Sequence, residues 1–148
     1  MVFLIRQATK EDAAAIADIE KACFSVPWSE EAIKETLCES NSLFYCALRG
    51  EKLFGYIGSY SVLDEVYITN IAVLKEYRKN GAARALLKRL SEDSKKSKKA
   101  FVTLEVRKSN LPAVSLYESE GFVLSGERKD FYEKPREDGL IYTLFFGE

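Results

Sequence analysis

The run Val66-Tyr67-Ile68-Thr69-Asn70-Ile71-Ala72-Val73 passes through Leu74-Lys75-Glu76 into Tyr77-Arg78-Lys79-Asn80-Gly81-Ala82-Ala83-Arg84, and then Ala85-Leu86-Leu87. Its first part is rich in β-branched residues and reads as a strand, the basic and small residues read as a turn, and Ala82 onward reads as a helix. A strand, a basic turn and a helix N-terminus make a site for a phosphorylated ligand. The first N–H groups of a helix have no partner inside it, and the macrodipole adds partial positive charge there. Gly81 has no Cβ to hold a pyrophosphate off the backbone, Ala82 and Ala83 are nearly as small, and Arg78, Lys79 and Arg84 surround Asn80 with fixed charge. The two commoner cradles do not fit: the chain has no glycine pair followed by Lys and Ser or Thr, and no Gly-x-Gly-x-x-Gly. By itself the stretch also reads as an exposed loop before a helix.

A second segment narrows the reading. The spacing Arg-x-x-Gly-x-Ala at Arg78, Gly81 and Ala83 resembles the acetyl-CoA signature of the Gcn5-related N-acetyltransferases (GNAT), with Ala83 where a second glycine is more usual. Downstream, Asn110, Ala113, Leu116, Tyr117, Gly121 and Phe122 resemble the family's motif Asn-x-x-Ala-x-x-Leu-Tyr-x-x-x-Gly-Phe. The resemblance implies an α/β fold with a mixed, mostly antiparallel central sheet and helices on both faces. It also implies acetyl-CoA as co-substrate and no metal. The backbone of Ile71, Ala72 and Val73 would pair with the pantetheine arm where that strand splays from its neighbour; from composition alone those residues read as ordinary core strand. The turn from Arg78 to Arg84 would hold the pyrophosphate, and Asn110 and Tyr117 would also touch the cofactor.

Within the family, Pro27-Trp28-Ser29-Glu30, Leu104 to Arg107 and the tail Tyr132, Pro135 to Asp138 resemble the bacterial members that acetylate the N-terminal alanine of a small-subunit ribosomal protein. That resemblance implies direct transfer in a ternary complex, with Glu105 as base and Tyr117 as acid. Glu105 is the lone carboxylate of an apolar strand, where burial would raise its pKa, or where it would only pair with Arg107 or another cation. A phenol near pKa 10 lies above a thiol near about 8.5, so Tyr117 can protonate a departing thiolate, although tyrosine at this spacing is also common core. Trp28, Asp64, Glu65, Tyr67, Tyr132, Glu137 and Asp138 are candidates for an acidic and aromatic acceptor groove suited to a basic ribosomal protein tail. The alternatives are a lysine, polyamine or small-amine acceptor on the same scaffold, or a non-catalytic acetyl-CoA-binding module.

Composition agrees with these expectations. A chain of 148 residues, 47% hydrophobic, suits one domain over 1–148 that needs no disulfide or metal to build its core. With no histidine, Ser-His and Cys-His systems are excluded, and Cys23, Cys38 and Cys46 have no metal-ligand spacing. A net charge of −1 gives no field to hold nucleic acid, and Lys95-Lys96-Ser97-Lys98-Lys99 reads as a solvated helix end. No apolar stretch has the length of a membrane span. The expectation is a cytoplasmic monomer or weak dimer.

Periodicity and turn residues place strands at 2–6, 42–48, 53–62, 66–73, 100–106, 122–131 and 140–146, with a charged loop over 133–139. Helices are expected from Thr9, capped with Asp12 and striped by Ala13, Ile16, Ala17, Ile19 and Ala22, and then over 30–39, 82–94 and 112–120.

Overall fold

The computed structural model describes residues 1–147. Seven strands form one sheet: β1 (Leu4–Gln7), β2 (Ser42–Arg49), β3 (Lys52–Val62), β4 (Glu65–Val73), β5 (Phe101–Arg107), β6 (Val123–Glu133) and β7 (Arg136–Phe145). Four helices accompany them: α1 (Ala13–Cys23), α2 (Glu30–Leu37), α3 (Ala82–Lys96) and α4 (Leu111–Ser119). The spatial order is β1-β2-β3-β4-β5-β7-β6, antiparallel at every pairing except β4 with β5. This is the mixed, mostly antiparallel sheet that the family resemblance implied.

Each face of the sheet carries its own apolar cluster. On one, Leu86, Leu87 and Leu90 of α3 and Tyr117 of α4 pack on Phe54, Val66, Val102 and Leu104. On the other, Ile16 and Ile19 of α1 and Ile33 of α2 pack on Phe44, Cys46, Tyr56 and Ala72. Burying one such aliphatic side chain contributes about 1.5–3 kcal/mol, so the two helical layers hold the sheet from both sides. No helix among the described residues is long and apolar enough to cross a membrane.

Three expectations change. The residues 133–139 are not an open loop: Tyr132 pairs with Glu137 and Glu133 with Arg136, so β6 and β7 close through Lys134 and Pro135 alone. Charge does not prevent a strand here, because both faces of this hairpin are largely exposed and the Arg107 guanidinium donates to the Pro135 carbonyl at 2.8 Å and to the Lys134 carbonyl. The first strand begins at Leu4, leaving exposed Val2 outside it. In α1, Ala22 is exposed while Glu20 is buried, because Glu20, seven residues after Ala13, continues the stripe through Ile16 and Ala17.

One irregularity positions the site. Gly58 of β3 pairs with Asn70 and Ser59 pairs with Ile68, so Thr69 is an extra residue in β4. A bulge reverses the alternation beyond it. Ile68, Ile71 and Val73 therefore pack toward α3, whereas Ala72 joins the cluster under α1, and Asn70 shares its side.

The chain entry to α1 is pinned by Asp12, which accepts from the Thr9 N–H at 2.8 Å and from both terminal nitrogens of Arg6. The Arg6 hydrogen bond is the chief reason that the Asp12 carboxyl lies below its ordinary value, and burial opposes it. A lowered folded pKa gives stability that is present above the unfolded value near about 3.9 and lost as pH falls through the folded one. Asp12→Asn is expected to lose about 1 kcal/mol in urea unfolding at neutral pH, with the difference vanishing near pH 2; a gap persisting there contradicts this role.

Candidate active site

β4 and β5 pair only over Glu65 with Phe101, Val66 with Val102 and Tyr67 with Thr103. Beyond that point they separate, while β4 stays paired with β3 as far as Val73 and β5 with β7 as far as Arg107. The Leu74 N–H donates to the Phe54 carbonyl at 2.9 Å, so alternation along β4 directs the Ile71 and Val73 peptide groups away from β3, into the opening. The Val73 carbonyl is capped by Arg78 Nε at 2.8 Å and approached by the Cys23 thiol. Among the described residues the Ile71 N–H and C=O and the Val73 N–H are left as an unpaired sheet edge inside the molecule.

The opening is a cavity of about 850 Å³ that reaches both faces of β5. Phe101, Thr103 and Glu105 alternate with the core residues Val102, Leu104 and Val106. Glu105 lies at the wall with its side chain 26% exposed; Oε1 is 3.2 Å from Arg128 Nε, and Oε2 is buried with no hydrogen-bond partner among the described residues. Arg107 is not its partner. That guanidinium pairs with Glu137 at 3.4 Å and stacks 4.4 Å from the Tyr132 ring centroid.

Tyr117 reaches the same cavity from α4. Its ring packs against Phe122 and Tyr142, and its hydroxyl makes no hydrogen bond among the described residues. Burial is the main cause that pushes its pKa up to about 12. The phenol therefore keeps its proton throughout the neutral range. Asn110 caps α4, accepting from the Ala113 N–H at 3.3 Å, and also lines the cavity.

A second hollow of about 230 Å³ lies at the start of α3, between Val73, the turn from Tyr77 to Arg84, and Leu116. Lys79 at φ +65° and Gly81 at φ +82° take the left-handed conformation that brings the chain round to the free N–H groups of Ala82, Ala83 and Arg84. The side-chain charge is more committed than the sequence suggests. Arg78 is tied to the Val73 carbonyl, and Arg84 forms an ion pair with Glu120 and donates to Ser119 at 2.8 Å. Asn80 turns back onto the Tyr77 and Arg78 carbonyls, leaving Lys79 and the helix N-terminus to meet an anion. From the cavity at Glu105, along the unpaired edge, to this cradle, the three features follow the order thioester, amides and phosphates of acetyl-CoA.

The acceptor candidates divide. Tyr67 and Tyr132 line the cavity, and Glu65 accepts from the Tyr67 hydroxyl beside it. Glu137 is turned inward: Oε2 accepts from the Ser109 N–H at 2.6 Å, and hydrogen bonding by the Ser109 side chain, ahead of its N–H and of Arg107, holds the carboxyl below the ordinary value. Asp138 accepts from the Asp130 N–H at 2.8 Å. Trp28 and Asp64 lie outside the cavity lining. Sequence reading missed Phe24, Asn70 and Arg128, which line it. Arg128 had no local signal, whereas Asn70 stood as the amide of a largely apolar strand.

The acetyltransferase (GNAT) family profile matches residues 13–122, and the chain belongs to that family. The [ribosomal protein bS18]-alanine N-acetyltransferase of Escherichia coli (strain K12) is 36% identical over 135 residues, covering 90% of each chain. The protein of the same name from Haemophilus influenzae is 32% identical over 96% of this chain and 98% of its own. The crystal structure of the Escherichia coli ribosomal-protein-S18-alanine N-acetyltransferase superposes with a TM-score of 0.91, at 32% identity over 99% of this chain and 96% of that one. Arabidopsis thaliana NAA60 in complex with acetyl-CoA shares the fold at 22% identity, with a TM-score of 0.89 over 98% of this chain and 100% of that one.

An added Cβ at Gly81 would meet no atom of the chain within 4 Å, so within the protein itself the constraint there is the left-handed backbone. Gly81→Ala is expected to lose about 1 kcal/mol of stability in urea unfolding and to weaken coenzyme A binding in calorimetry. Unchanged values for both would mean that the turn adopts another conformation.

Proposed function

We propose that this chain is an acetyl-CoA-dependent N-terminal acetyltransferase whose acceptor is the N-terminal alanine of ribosomal protein bS18, modified in the cytoplasm. The observation that carries the reading is the single cavity at which the unpaired β4 edge, Glu105 and Tyr117 meet. Identity of 36% over most of a curated relative with that activity supports the choice of acceptor.

Acetyl-CoA supplies the thioester. The Ile71 and Val73 peptide groups and the N-terminus of α3 hold it in register, and an N–H of that edge stabilises negative charge on the thioester oxygen. Glu105 takes the proton from the α-amine, directly or through water, as the C–N bond forms. Tyr117 gives its proton to the sulfur as the C–S bond breaks. No covalent enzyme intermediate is needed, because the amine attacks the acetyl carbon itself. An α-amine near pKa 7.7–8.0 is about a tenth neutral at pH 7, whereas lysine near about 10.4 is almost wholly charged, so one ion-paired carboxylate suffices for the former.

Thiol release should be measured with a peptide beginning in alanine and with the same peptide blocked at its α-amine. Turnover is expected with the first and lost with the second; persistence on the blocked peptide would make lysine the acceptor. Glu105→Gln and Tyr117→Phe are each expected to lower kcat about a hundredfold. Because burial raises the Tyr117 pKa to about 12, its acid form persists above neutrality, so the native kcat should not fall as pH rises from about 8 to about 10. A fall with a midpoint near pH 9 would assign the proton to another group.

A further inference from the structure

Glu20 is a carboxylate at the C-terminal end of the buried α1 stripe, 1% exposed. Its Oε1 accepts from the Trp28 N–H at 3.0 Å, and its Oε2 accepts from the Tyr56 hydroxyl and from Asn70 Nδ2 at 3.2 Å. Among the described residues no cation pairs with it, so its charge is held by neutral donors alone, an expensive arrangement for packing that a neutral side chain could perform.

The distinctive effect of that charge falls on Asn70. The bulge at Thr69 turns Asn70 toward α1, and the same residue lines the cavity that contains Glu105. A carboxylate can only accept hydrogen bonds, so the end of the Asn70 amide that meets Glu20 must be the NH₂. Oδ1 is then the opposite end; it has no hydrogen-bond partner among the described residues, and it is not among the buried unsatisfied atoms. We propose that Asn70 Oδ1 accepts a hydrogen bond from an N–H of the acceptor's N-terminal residue, and that Glu20 is the positioning residue that fixes the amide in this orientation. A neutral amide at position 20 removes the constraint, since its own NH₂ can donate to Oδ1 and turn the Asn70 amide round. The relay rests on the acceptor reading of the cavity given above.

Steady-state kinetics on the alanine peptide test it through a double-mutant cycle. Asn70→Ala and Glu20→Gln should each lower kcat/KM for the peptide about fivefold or more, while KM for acetyl-CoA stays within about twofold. The double variant should match Asn70→Ala within about twofold, because Glu20 acts through Asn70. If Glu20→Gln does not fold, Glu20→Asp, which keeps the charge but retracts it by one methylene, takes its place with the same expectation. Multiplicative losses, an unaffected Asn70→Ala, or parallel loss for both substrates overturns the relay. A native chain that binds acetyl-CoA but leaves the peptide untouched overturns the acceptor reading itself.

Discussion

The parallel ladder between β4 and β5 stops after Tyr67 and Thr103, and the arrangement of the site follows from that stop. Peptide groups inside a folded chain are normally paired, and leaving one without a partner costs about 1–3 kcal/mol. Here Ile71 and Val73 present such groups toward a cavity in the middle of the sheet rather than at its edge. The strands on either side supply the rigidity, because β4 stays laddered to β3 and β5 to β7 along the whole opening. In the proposed reaction the amides of acetyl-CoA would complete the ladder, which would make the unpaired edge a source of affinity as well.

The separation also explains how chemistry from two faces converges. Glu105 and Tyr117 belong to opposite sides of β5, one beside the exposed hairpin of β6 and β7, the other inside the α3 and α4 core. A continuous sheet would keep them apart. Their environments differ accordingly: Glu105 is partly buried and paired with Arg128, while the Tyr117 phenol is desolvated and holds its proton far above neutrality. One group is suited to receiving a proton and the other to giving one. The positive turn before α3 is likewise made mainly by backbone, since Arg78 and Arg84 spend their charge on the Val73 carbonyl and on Glu120.

Much of this was legible in the residues. The β-branched run to Val73, the basic turn with its small residues at 81–83 and the helical spacing that follows are local signals with local causes, and the elements they predict are present with ends shifted by one or two residues. The hairpin at Lys134 and Pro135 was not legible, because its strands are held by register with each other and by the Arg107 guanidinium rather than by an apolar pattern. The bulge at Thr69 is a property of the β3 pairing and leaves no mark in β4 alone. Glu20 lay on the helical period from Ala13 and was passed over because a carboxylate does not look like a core residue, although its place on the stripe was the available signal.

Amide hydrogen exchange, followed with and without acetyl-CoA, tests the central claim most directly. The Ile71 and Val73 amides should exchange fast in the free protein, while Ala72 and Leu74, bonded to β3, exchange slowly. Acetyl-CoA should slow the first pair together with Ala82 to Arg84 at the start of α3. Protection already present at Ile71 and Val73 in the free chain, or none gained there on binding, would contradict the account of an unpaired edge that the cofactor completes.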